Sequence, residues 1–99
     1  MELNITARHF EVTEELKKFT EKKFKKLDRY KHLVLRTDLI LSDEKGLKVA
    51  EGKIAARGNF LVAKTTSHDV FLAIDELADR LLKQLKTFDE KLKSKKKTQ

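Results

Sequence analysis

The chain has 99 residues, 39% apolar and 39% charged, with no cysteine or proline and a formal net charge of +7. Without thiols it has no disulfide framework, thiolate metal site or cysteine nucleophile, and no apolar run approaches the roughly 18 residues that a membrane span needs. One soluble domain with a single two-layer core is expected at this length, and 23 basic against 16 acidic side chains favour a polyanionic partner.

The first residues lack the basic start and apolar run of an export signal, so a cytoplasmic protein is expected. From Glu2 to Arg8 the chain alternates, with Leu3, Ile5 and Ala7 on one side, which predicts a half-buried strand. Thr13 is placed to cap a helix whose first turn holds Glu14 and Glu15. That helix is expected to reach about Tyr30, because Leu16, Phe19, Phe24, Leu27 and Tyr30 project within about 140° at 100° per residue. On the opposite side Lys18, Lys22, Lys25 and Arg29 fall within about 60° of one another. Lys23 and Lys26 lie on one shoulder of the apolar stripe. Like charges one turn apart destabilise a helix by a few tenths of a kcal/mol. Glu14, Glu21 and Asp28 border the row, which reads either as a solvated face or as a polyanion contact.

The period then becomes two, placing Leu33, Leu35, Thr37, Leu39 and Leu41 on one face of a second strand. Asp43 to Gly46 reverses the chain. The next strand, Lys48 to Arg57, sets Ala50, Gly52, Ile54 and Ala56 on one face. Small residues there admit a closely packed helix, although Gly52 is equally a bulge signal. Gly58 and Asn59 predict a two-residue hairpin turn, and Phe60 to Thr66 a final strand.

A long helix is expected from about Ser67 to Leu92. Val70, Phe71, Ile74, Leu77, Ala78, Leu81, Leu82, Leu85, Phe88 and Leu92 share an arc of roughly 140°. Its outer positions run from acidic (Asp69, Asp75, Glu76, Asp79) to basic (Arg80, Lys83, Lys86, Lys91, Lys93). This order offsets the helix macrodipole and also suits an anionic ligand near the basic half. Residues 93–99 have no apolar side chain and are expected to be a disordered basic tail or linker remnant after a single domain of residues 1–92.

The order βαβββα predicts an α+β two-layer sandwich: a four-stranded, mainly antiparallel sheet with both helices packed on one face. The first strand joins its neighbour in parallel through a helical crossover. With the helices side by side, their basic shoulders are expected to line one groove. Catalysis lacks parts. His9, His32 and His68 are far apart in sequence, no glycine-rich phosphate loop occurs, and no paired metal-ligand spacing exists. No enzyme, cofactor, metal site or small-molecule substrate is therefore expected.

Five segments in order, Asn4-Ile5-Thr6, Phe10-Glu11-Val12-Thr13-Glu14, Lys23-Phe24-Lys25-Lys26-Leu27, Asp69-Val70-Phe71-Leu72-Ala73-Ile74-Asp75 and Arg80-Leu81-Leu82-Lys83-Gln84-Leu85, carry a further signal. Together they resemble the ribosome hibernation-promoting factors and ribosome-associated translation inhibitors over nearly the whole chain. The resemblance implies the same βαβββα fold and binding to the small ribosomal subunit and its ribosomal RNA near the decoding region. There such a protein blocks messenger and transfer RNA and silences idle ribosomes. It implies a monomer in the short form and assigns RNA contact to Lys23, Lys26, Arg80 and Lys83. Periodicity adds Lys22, Arg29, Lys86 and Lys91. The chain departs from the family at Val70-Phe71, where Met-Tyr is common, and at Thr87, where a base is common. The alternative expectation is a general binder of double-stranded or structured RNA without ribosome preference. A membrane-surface role is disfavoured by outer faces that are highly charged and poor in aromatics.

Overall fold

The computed structural model describes residues 2–97, with side chains as far as Lys93. Its elements are β1 (Leu3–Arg8), α1 (Glu14–Phe24), a 3-10 segment (Lys25–Tyr30), β2 (Val34–Glu44), β3 (Leu47–Ala56), β4 (Asn59–Ser67) and α2 (Val70–Lys97). The sheet has the order β1-β2-β3-β4. β1 lies parallel to β2, with Ile5 opposite Leu39, and the other two pairings are antiparallel. The expected βαβββα sandwich is therefore present.

Thr13 caps α1 as expected, its hydroxyl accepting a hydrogen bond from the Leu16 amide at 3.1 Å. The single helix expected to Tyr30 instead tightens after Phe24 into the 3-10 segment. Phe24, Leu27 and Tyr30 recur every three residues, and a pitch of three residues per turn aligns all of them on one buried side. An α-helical pitch would fan them over about 120°.

In β2 the alternation slips. The register shifts between Val34 and Arg36, so Leu33 and Val34 are both buried while Leu35, expected inside, is 68% exposed. One extra residue reverses the facing of whatever precedes it. Thr37, Leu39 and Leu41 beyond the shift are inside as expected. The β2–β3 turn places Lys45 (φ 56°) and Gly46 (φ 86°) in the left-handed region, the pairing that a type I′ hairpin requires. The Asp43 carboxylate stabilises it, accepting from the Gly46 amide at 2.9 Å and from Lys48 Nζ at 2.5 Å. The second hairpin turns at Arg57 and Gly58 rather than at Gly58 and Asn59, because Asn59 already pairs with Ala56.

Asp69 opens α2, its carboxylate accepting from the Phe71 amide at 2.9 Å. The helix passes the expected end at Leu92 and continues to Lys97; Thr98 and Gln99, also assigned to the tail, lie outside the described residues. Ala73, Ile74, Leu77, Ala78, Leu81 and Leu85 are fully buried along its inner side. Phe71 meets Phe19 of α1 edge to face at 4.9 Å, so the hydroxyl-free ring here serves as an interhelix contact. Gly52 is no bulge, since it pairs continuously with Leu39 and Ala63. It is where α2 comes closest: a Cβ there would lie 2.8 Å from Leu81 Cδ1 and 3.3 Å from Leu77 Cδ2.

The Gly52→Val variant is accordingly expected to lose roughly 1–3 kcal/mol, the usual effect of overpacking a filled core, read as a lower urea midpoint with an unchanged slope. Combined with Leu81→Ala, the two losses should sum to less than their separate values, because the larger residue occupies the space that the smaller one vacates.

Candidate nucleic-acid interface

The groove between α1 and α2 is lined differently from expectation. Lys23 Nζ lies 3.3 Å from Asp75 Oδ1 and Lys26 Nζ lies 2.6 Å from Asp79 Oδ1. The acids of α2 that offset its dipole thus also face the lysines of the neighbouring helix, and the groove is a ladder of opposite charges rather than a cationic trough. Lys23 additionally sits 5.5 Å above the Phe19 ring.

Arg80 lies on the other flank of α2. Its Nη1 donates to the Lys64 carbonyl at 3.1 Å, and one turn later Gln84 Nε2 donates to the Val62 carbonyl at 2.9 Å. Both side chains thereby satisfy acceptors on the outer strand β4. Lys83 and Lys91 lie on this flank too, lining a crevice of about 330 Å³ with Asn59, Leu61, Gln84, Thr87 and Phe88. Lys86 is exposed. The four positions implied by the family resemblance therefore divide, two beside α1 and two towards β4.

The outer row on the first helix is also divided. Lys18 and Lys22 are exposed on α1, but Lys25 and Arg29 belong to the 3-10 segment, where the wider angular step per residue ends the alignment. Lys25 instead shares a recess with Leu3, Glu21 and Asp28 beside β1.

Among the described residues, Lys22, Arg29, Arg80, Lys83, Lys86 and Lys91 form no ion pair, whereas Lys23 and Lys26 do. A paired lysine presents a dipole whose field decays faster than that of a lone charge. The second half of α2, between the groove and β4, is thus the stronger lure for phosphate. It is also rigid, being seated on buried Leu81 and Leu85. Asp89 is the main local counterweight, 3.1 Å from Lys93 and 4.0 Å from His32 Nε2. Asp43 lies in the β2–β3 turn; hydrogen bonding to Lys48 holds its carboxyl below the usual value. Among the described residues no group of three or more His, Cys, Asp or Glu could hold a metal, and no helix is long and apolar enough to cross a membrane.

Sequence reasoning missed the partners: Asp75 and Asp79 for the groove, and Asn59, Leu61, Gln84 and Phe88 for the crevice. A signal for the first existed. Acids one turn apart on one helix, Asp75 and Asp79, match bases one turn apart on the other, Lys23 and Lys26.

Residues 3–93 match the family described as Sigma 54 modulation protein / S30EA ribosomal protein. The ribosome hibernation promoting factors of Salmonella typhimurium and Escherichia coli K12 are each 34% identical over 93 residues, covering 94% of this chain and 98% of theirs. Among solved structures, the Thermus thermophilus Protein Y N-terminal domain superposes with a TM-score of 0.82 at 30% identity, covering 89% of this chain and 99% of that one. A ribosomal subunit interface protein from Coxiella burnetii shares the fold with a TM-score of 0.85 at 21% identity, covering 91% of this chain and 99% of that one.

Removing the groove acids tests their role. The Asp75→Asn/Asp79→Asn variant is expected to lose little stability, about 0.2–1 kcal/mol for each exposed pair, yet to elute from immobilised heparin at higher salt than the parent. Unchanged elution would show that Lys23 and Lys26 lie off the polyanion-binding face.

Proposed function

The chain belongs to the Sigma 54 modulation protein / S30EA ribosomal protein family, and on that premise we propose that it is a ribosome hibernation factor of the cytoplasm. It binds ribosomal RNA of the small subunit near the decoding region, excludes messenger and transfer RNA, and so inhibits translation on idle ribosomes. The observation that carries this reading is the run of cations Lys83, Lys86 and Lys91, unpaired among the described residues, on the basic half of a helix seated on the core, in a chain alike over 94% of its length to proteins named for ribosome hibernation.

The mechanism is competition and needs no covalent chemistry. Cationic side chains that neutralise phosphates release condensed counterions, so affinity falls steeply as salt rises. Phosphate contacts fix position without reading sequence. Selectivity then comes from the shape of folded ribosomal RNA, whose helices are recognised mainly through backbone and minor groove. Lys23 and Lys26 join the contact when phosphate oxygens replace Asp75 and Asp79 as their partners, an exchange made easy by the small net strength of exposed ion pairs. Lys22 and Arg29 add longer-range attraction. A monomer suffices, since all of these groups lie on one chain.

The Lys83→Glu/Lys86→Glu variant reverses two exposed charges without touching the core. It is expected to retain the parent's melting temperature while binding the small subunit more weakly and inhibiting translation less in a cell extract. Its slope of log affinity against log salt should be shallower by about two, about one per lost phosphate contact. Sedimentation with the small subunit as tight as the parent's would overturn this assignment. Equal affinity of the parent for arbitrary RNA duplexes would favour a general RNA binder instead.

A further inference from the structure

The crevice between α2 and β4 has a chemical make-up that phosphate neutralisation alone does not call for. Leu61 and Phe88 line it, both partly buried and packed against the core. Lys83 and Lys91 are exposed at its rim, two helical turns or about 12 Å apart along the axis. Two amide side chains complete it, and each has one end already engaged. Gln84 uses an N–H on the Val62 carbonyl at 2.9 Å, leaving its oxygen as an acceptor. Asn59 uses its oxygen on the Phe60 amide at 2.8 Å, leaving its NH₂ as a donor. Such engagement pre-orients both groups and lowers the entropy lost when they meet a ligand.

An apolar surface for a flat ring, a donor and an acceptor for its edge, and two separated cations are together what an unstacked nucleotide requires. The volume of about 330 Å³ falls at the small end of ligand sites, roughly 300–1,000 Å³. A duplex offers no free base to fill such a site. We propose that this crevice receives one extruded ribonucleotide of a single-stranded RNA segment, its base against Leu61 and Phe88 and its flanking phosphates on Lys83 and Lys91.

The proposal rests on the ribosomal RNA reading of the same helix and adds that the RNA segment met there is single-stranded. Thr87, also in the lining, carries a shorter side chain than Lys83 and Lys91 and so obstructs the opening less than either would.

The full-length, isotope-labelled chain titrated with hexauridylate, hexaadenylate and a short RNA duplex tests it. Either single strand is expected to shift the side-chain amides of Asn59 and Gln84 and the ring of Phe88 saturably, at concentrations about tenfold below those at which the duplex does. Lys83→Ala/Lys91→Ala should weaken this by about tenfold or more while leaving the fold's backbone spectrum in place. The proposal is overturned if the duplex perturbs these groups as strongly, or if the single strands perturb only α1. Sedimentation of the parent with ribosomes separates the two readings. Ribosome binding without crevice shifts sinks the crevice alone, whereas crevice shifts without ribosome binding support the crevice and sink the ribosomal assignment.

Discussion

The separation between α2 and β3 is the constraint on which the rest of the molecule depends. A side chain as small as a methyl at Gly52 would reach 2.8 Å from Leu81, so the helix rests almost on the strand's backbone. Ala50, Ala56 and Ala63 keep the surrounding sheet equally low. At that depth Leu77, Leu81 and Leu85 are wholly enclosed, each contributing about 1.5–3 kcal/mol by leaving water. The position of the helix decides what its two flanks meet: α1 on one side, and the carbonyls of β4 on the other.

That placement produces an electrical asymmetry. Beside α1, carboxylates and ammonium groups alternate and largely cancel. Towards β4 and along the outer basic half, Arg80, Lys83, Lys86 and Lys91 form no ion pair among the described residues, and Lys93 pairs with Asp89. A phosphate group would meet lone charges on this half of α2 and already paired ones in the groove. Because the charged platform is a packed helix rather than a loop, little conformational entropy is lost on contact.

Most of this fold was legible because its signals are local and periodic. The alternation in β1 and β3, the Asp43 to Gly46 reversal and the apolar arc of α2 each need only a few neighbouring residues. The failures occurred where geometry departs from a uniform period. Alternation points Leu35 inward, since it cannot reveal one additional residue in a strand. A uniform α-helical period aligns Lys25 and Arg29 with Lys18, because a change of helical pitch leaves no mark on composition. The site was less legible than the fold. Basic positions could be named, but whether a lysine is neutralised depends on a partner some fifty positions away, as with Lys26 and Asp79. Gln84 gave no hint at all, because its task depends on which strand forms the sheet's margin.

That margin has a consequence for reading mutants. An outermost strand presents unused backbone acceptors that can recruit the strand of another molecule. On β4 two of them are occupied by Arg80 and Gln84, which leaves fewer acceptors open for such pairing. Replacing Arg80 would therefore alter more than a cation: it would also free the Lys64 carbonyl on the margin of the sheet, so a change in binding would report two losses rather than one.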